Sequence, residues 1–234
     1  MSLHDILTQP SAALFVTIGS YLLAQWFQKK MGNHDLLSPV VVAILLVVTY
    51  IAAFGLSYEQ YLEDVHVLYG LLGTATVALA VPLYKQLSLI KQSLFGIGAA
   101  VLVCSLVAAG VAYYIAHTMG ASEELQLAII PKSTTTAICI GIAEKIGAKP
   151  SLAVFFLFTT GIVGSLIAVP LLKLVRITDD RAIGLALGVT SHGLGLARAF
   201  QHSNRAGAFA ALGLSLMGMV SGVVLPILVF WLVG

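Results

Sequence analysis

Long apolar stretches alternate with short polar connections along the whole chain. Uncharged runs of about twenty residues or more cover 36–58, 92–122, 150–172 and 206–234, each long enough to cross a hydrocarbon core of about 30 Å as a helix. The pattern predicts an all-α polytopic membrane protein. Eight hydrophobic segments are expected, at about 11–28, 37–56, 65–84, 94–117, 124–143, 152–173, 182–200 and 207–233, joined by turns such as Gly32-Asn33, Gly147 and Pro150. The first, second, fourth, sixth and eighth read as plain spanning helices. The third, fifth and seventh carry clustered Gly, Pro, Ser and Thr, and are expected to be broken or re-entrant.

Composition sharpens this class. Of 234 residues, 59% are hydrophobic and 9% charged, against roughly 25% charged in soluble domains. Mean hydropathy is +1.00. The net charge of +2 comes without a basic stripe, so no nucleic-acid partner is expected. Cys104 and Cys139 both lie within apolar stretches, which points to packing rather than to a disulfide or metal site. Residues 1–10 lack a basic region and carry Asp5, unlike a cleavable signal.

Charged connections bear on orientation. Lys29 and Lys30, Lys85 and Lys91, and Lys145 and Lys149 follow alternate segments, and acidic residues follow segments two and four. Eight simple crossings would place both termini outside. The connection after segment six disagrees, because it carries Lys173, Arg176 and Arg181; a re-entrant segment would produce that disagreement.

The two halves, about 10–117 and 123–233, share an order of segments and interruptions. A shift of 115 residues places 73–86 on 188–201, with Thr76 opposite Ser191. Paired interrupted segments are a pointer to a transporter site between repeats. Whether the repeat is inverted or parallel depends on the crossing count.

Three stretches could carry chemistry. In 131–136 (PKSTTT), Pro131 should break the helix, and a restarted helix directs its N-terminal amides and dipole at the gap. Ser133, Thr134, Thr135 and Thr136 can cap or donate, and Lys132 adds positive charge at membrane depth. Such a set suits a carboxylate or phosphate; the alternative is a Lys132 that snorkels to water. In 190–198, Gly193 and Gly195 permit a break or a close approach. Ser191 and Arg198 would share a face if that part were helical, and His192 could relay protons or be structural. In the third stretch Gly70 and Gly73 suit close helix packing, while Thr74, Thr76 and Pro82 extend the case for a broken helix. No nucleophile–base–orienter set is visible and no carboxylate lies deep in a segment. The chain is therefore not expected to be an enzyme, and no cofactor or metal is implied.

These three stretches, GTATVALAVPLY at 73–84, PKSTT at 131–135 and SHGLGLAR at 191–198, strongly resemble the LrgB/CidB family over essentially the whole chain. The resemblance implies a single LrgB-like membrane domain over 1–234, in the bacterial inner membrane, without a transit peptide. It implies transport of small hydroxy- or oxo-carboxylates, as in the plastidial glycolate/glycerate translocator, or a holin/antiholin role in murein hydrolase export and lysis. It also implies a small LrgA/CidA-like membrane partner. A homo-oligomer is expected, with a dimer favoured. Lys132, Ser133, Thr134, Thr135, Ser191 and Arg198 are the leading substrate contacts, with Thr74, Thr76 and His192 behind them. Pro82, Pro131, Gly193 and Gly195 are the expected helix breaks.

Overall fold

The computed structural model describes residues 10–32, 38–78 and 80–233, and every regular element among them is helical. The chain divides into two compact units, Met1–Ala80 and Val81–Gly234.

In the first unit, α1 (Pro10–Lys30) is followed by α2 (Pro39–Phe54), α3 (Tyr58–Asp64) and α4 (His66–Ala78). Gly55, at φ 63°, takes the left-handed conformation that closes α2, and its N–H returns to the Ile51 carbonyl. Ser57 and Gln60 form a reciprocal capping box that starts α3, so α2 and α3 meet at a 117° bend. Ala13, Tyr50 and Val65 form the core of this unit, and the hydroxyls of Thr17 and Tyr61 meet at 2.9 Å.

The second unit runs α5 (Ala80–Lys85), α6 (Leu87–Gln92), α7 (Leu94–Thr118), α8 (Glu123–Ala128), α9 (Thr136–Lys145), α10 (Pro150–Leu174), α11 (Asp180–His202) and α12 (Asn204–Val233). Among the described residues, α7, α10 and α12 are long and apolar enough to cross a membrane, and the bent pair α2–α3 brings the number to at most four. The eight expected segments therefore do not translate into eight simple spans among the described residues. Apolar side chains such as Phe95, Val103, Phe155, Phe158 and Trp231 cover the outer faces of the long helices, as lipid-facing surface requires.

The fifth and seventh segments fold back on themselves. Helix α11 contains one residue with non-helical geometry, His192, at φ 41° and ψ −130°. Its two ends meet: Ser203 Oγ donates a 2.7 Å hydrogen bond to Asp180 Oδ2, and His202 Nε2 lies 3.3 Å from Asp180 Oδ1. Further up, a Cβ on Gly195 would run into the Leu187 carbonyl, so the two halves lie backbone to backbone. A straight helix of 23 residues would separate those ends by on the order of 33 Å. α11 is thus a helical hairpin with His192 at its tip. The α8–α9 pair has the same form, because Glu124 and Lys149, which bracket it, approach to 3.8 Å.

Span α10 connects the two hairpins. The open ends of α8–α9 lie at its N-terminal end, and the open end of α11 lies beyond its C-terminal end. Because each hairpin returns to the end from which it started, Lys145 and Lys149 share an end with Glu123 and Glu124. The basic connection carrying Lys173, Arg176 and Arg181 lies at the opposite end of α10. These two basic groups thus stay at opposite ends of α10; what changes is that Glu123 and Glu124 join Lys145 and Lys149 at one end, so a simple alternation of loops does not hold for the second unit.

Small residues set how closely these elements pack. A side chain on Gly184 would meet the Ala206 backbone, and one on Gly188 the Ala210 backbone, so the first half of α11 lies directly against α12. Ser105 of α7 and Ser221 of α12, both fully buried, join these spans through a 2.9 Å hydroxyl pair.

Candidate functional site

The tip of the first hairpin is residues 129–135. Helix α8 stops at Ala128, a series of turns follows, and α9 restarts at Thr136 with Thr135 as N-cap. The cause is local: Pro131 has no amide to donate, and its ring disfavours helical geometry at Ile130. The turns are closed by Thr134 N–H to Pro131 O at 3.2 Å and by Thr134 Oγ1 to the same carbonyl at 2.8 Å. Ser133 and Thr134 are buried, Lys132 and Thr135 half-buried, and Thr136 exposed. Lys132 Nζ lies 3.4 Å from Ser133 Oγ. The Thr135 side chain makes no capping bond, so its hydroxyl does not occupy the first amides of α9.

The tip of the second hairpin is built from Thr190, Ser191, His192 and the turn after it. Thr190 Oγ1 donates to Ala186 O at 2.7 Å and meets Ser191 Oγ at 3.1 Å. Ser191 is fully buried and His192 nearly so. The positive φ falls on His192 and not on Gly193, which has no neighbour within 4 Å of an added Cβ. Gly195 is needed for the close approach to Leu187, which is a packing role within the hairpin. Since the helix reverses at His192, the seven-residue spacing from Ser191 to Arg198 does not place them on one continuous face. Arg198 sits on the returning half, buried, with Nη1 3.3 Å from Gln201 Oε1.

Both tips converge on the same part of α10. His192 Nε2 is 2.8 Å from the Leu157 carbonyl oxygen. The Leu157 side chain belongs to the buried cluster that holds Ile130, Cys139 and Leu127 from the first hairpin. Each tip begins a returning half-helix; the first tip carries Lys132, Ser133 and Thr134, and the second carries Ser191 against α10. That combination can offset the charge of a small anion and donate hydrogen bonds to it in a dry setting.

Of the other candidates, Thr74 is exposed, and its Oγ1 donates to Leu71 O of its own helix at 2.8 Å. The side chains of Thr76 and Pro82 lie outside the described residues, although both positions are helical. Sequence reasoning passed over Gly161 and Gly164 of α10. A Cβ at Gly161 would collide with the His192 ring, and one at Gly164 with Ser191 Oγ. Their spacing within a spanning segment was the available signal.

At the basic C-terminal end of α10, Asp179 accepts from Arg181 through its backbone N–H at 2.8 Å and its guanidinium at 2.6 Å. These bonds hold the Asp179 carboxyl down at about 2. Beside them lies a cavity of about 530 Å³ lined by Leu89, Thr178, Asp179, Asp180, Arg181 and Arg205.

Comparison with known proteins gives one family and no fold precedent. The LrgB-like family matches residues 17–231. The chain is 30% identical to the holin-like protein CidB of Staphylococcus aureus over 216 residues, covering 92% of this chain and 94% of that one. It is 34% identical over 221 residues to the uncharacterized protein YxaC of Bacillus subtilis, covering 94% of each. It is 28% identical over 217 residues to the antiholin-like protein LrgB of Bacillus mycoides, covering 93% of this chain and 94% of that one. No solved structure matches. With the match running through both hairpins and all three long apolar helices, the chain is a membrane protein that belongs to the LrgB-like family.

Proposed function

We propose that the chain is a secondary transporter of small organic anions, such as glycolate, glycerate, lactate or pyruvate, working by alternating access. The observation that carries this reading is the packing of two interrupted hairpins against one span, α10, with half-buried Lys132 at one tip and buried Ser191 at the other. Transport of an anion needs a binding point near the bilayer midplane that can be reached from either face in turn. Two hairpins that start at opposite ends of α10 supply such a point. Lys132, Ser133, Thr134, Thr135 and Ser191 hold the carboxylate in this reading, and Arg198 serves its approach. On the same reading the halves 10–117 and 123–233 act as the two repeats. In this reading the C-terminal end of α10 faces the cytoplasm of a bacterial inner membrane, supported by Lys173, Arg176, Arg181 and Arg205 against Asp179 and Asp180.

The relatives' names favour a second reading, and more directly than they favour transport. Two are called holin-like and antiholin-like. In that reading the chain acts in a holin/antiholin system that regulates murein hydrolase export and lysis, with a small LrgA/CidA-like partner.

Counterflow in proteoliposomes separates the two. Saturable exchange of one labelled carboxylate among glycolate, glycerate, lactate and pyruvate supports transport. Release of an entrapped dye, with no saturable exchange of any of the four, supports the holin-like reading.

A further inference from the structure

The backbone of His192 occupies a region, φ 41° and ψ −130°, that non-glycine residues rarely adopt, although glycine follows it at 193. Strain of this kind persists only where the surroundings hold it. Here the holding contact is visible: the ring lies over the bare Cα of Gly161, with Nε2 2.8 Å from the Leu157 carbonyl. That oxygen sits inside α10 and accepts, so Nε2 carries the hydrogen; a carbonyl has a second lone pair for it beyond its helical bond. Next to it Ser191 Oγ fills the space over Gly164. Two missing side chains on one face of α10 thus form a socket, and the two residues at the hairpin tip fill it.

We propose that His192 is the positioning residue that latches the α11 hairpin to span α10, and that breaking and remaking its bond to Leu157 is the step by which this tip moves. The side chain is needed for the bond and the backbone is strained by it, so releasing the ring lets the turn relax. Gly161 belongs to the same device. An alanine there would collide with the far end of the ring, and the ring could move aside only by giving up the bond to Leu157.

The latch is tested without substrate by amide hydrogen exchange at residues 193–196 of the full chain in lipid nanodiscs. His192→Gly removes the ring and relieves the backbone, and should speed exchange at the tip by about tenfold, the upper range for losing one neutral hydrogen bond. Gly161→Ala should do the same with the imidazole still present. His192→Gln, whose amide Nε2 reaches the same place, should restore slow exchange. Unchanged exchange in both His192→Gly and Gly161→Ala overturns the proposal.

The kinetic arm rests on the transport reading. Maximal carboxylate counterflow should fall in His192→Gly and Gly161→Ala with KM unchanged, and recover in His192→Gln. A raised KM with unchanged maximal rate would instead place His192 on the substrate, and would overturn the positioning role. If the native chain exchanges no carboxylate at all, the transport reading falls, and the exchange measurements still decide the latch.

Discussion

Asp180 and Ser203 stand 23 residues apart at the two ends of one helical segment, yet their side chains are joined by a 2.7 Å hydrogen bond. The contact closes the base of the α11 hairpin. Ser203 Oγ also accepts from the Ala206 amide at 3.0 Å, which caps the start of α12. One hydroxyl therefore ties three helical pieces together. Ser203→Ala should lower stability by about 1–2 kcal/mol, since it removes a cap and a bond to a carboxylate. Thermal unfolding in detergent, compared with Ser203→Thr as the variant that keeps the hydroxyl, checks this. Equal melting of the two variants would show that the hydroxyl is dispensable.

The hairpins make an unusual topological prediction. Glu124 and Lys149 should be accessible from one side of the membrane, and Arg181 and Arg205 from the other. Single cysteines at these four positions, in a background of Cys104→Ser and Cys139→Ser, can be labelled with an impermeant maleimide in oriented vesicles. If Glu124→Cys and Lys149→Cys label from opposite sides, the α8–α9 hairpin does not return to its own face.

Contact between α11 and α12 leaves no room for side chains at Gly184 and Gly188, because the obstacles are the Ala206 and Ala210 backbones. Backbone cannot swing aside as a side-chain end can. Gly188→Ala should cost about 1–3 kcal/mol, typical of overpacking. Gly193→Ala, where an added Cβ meets nothing, should cost less than Gly188→Ala. A comparison of the two melting points measures the difference, and a larger loss at Gly193 would contradict the packing described.

Charge at the first tip can be tested through transport. Lys132→Met keeps roughly the length of the side chain and leaves an anion with neutral donors only. Charged hydrogen bonds contribute about 1.5–3 kcal/mol, so affinity for the carboxylate should fall roughly tenfold to a hundredfold. Lys132→Arg should do less harm, although a planar fork does not replace an ammonium. The check is carboxylate uptake in proteoliposomes with matched amounts of folded protein. Unchanged affinity and rate in Lys132→Met would make Lys132 an interfacial anchor.

The Asp179–Arg181 pair predicts a pH response. The guanidinium and backbone N–H of Arg181 hold the folded carboxyl at about 2, below its ordinary value. A depressed carboxyl stabilises the fold above its unfolded pKa, and the effect is lost as pH falls through the folded value. This turn should therefore stay ionised down to about pH 3. In Arg181→Gln the Asp179 carboxyl should return toward the ordinary carboxylate range, so that it titrates near pH 4. Carboxyl ¹³C NMR of aspartate-labelled protein follows both, and titration near pH 4 in the native chain would contradict the pairing.

Much of the second unit was legible along the chain, and the reason differs by element. α7, α10 and α12 follow from apolar length alone, since a helix is the one structure that satisfies its own backbone in lipid. The break at 131–135 follows from Pro131 and the hydroxyls after it. Segment seven was legible as interrupted, but its reversal was not. Hydropathy reads the same for a helix that crosses and for one that returns halfway, and the helical spacing from Ser191 to Arg198 does not survive the turn at His192. The socket at Gly161 and Gly164 was hidden for a related reason: a glycine in an apolar run shows that something comes close, without saying what.

By itself the sequence determined that this chain suits a bilayer, that α7, α10 and α12 are long and apolar enough to cross it, that segments five and seven are interrupted, and which family the pattern of breaks resembles. Each of these depends on local physics: burial of apolar length, loss of an amide at proline, and the cost of a lysine in hydrocarbon. Tertiary structure decided what those breaks are for. Only contacts distant in sequence, Asp180 with Ser203, Glu124 with Lys149, and His192 with Leu157, turn the interruptions into hairpins and bring both tips to one span. The direction in which a chain leaves a broken helix is set by the surfaces it then packs against, and those surfaces do not exist until the neighbouring helices are in place.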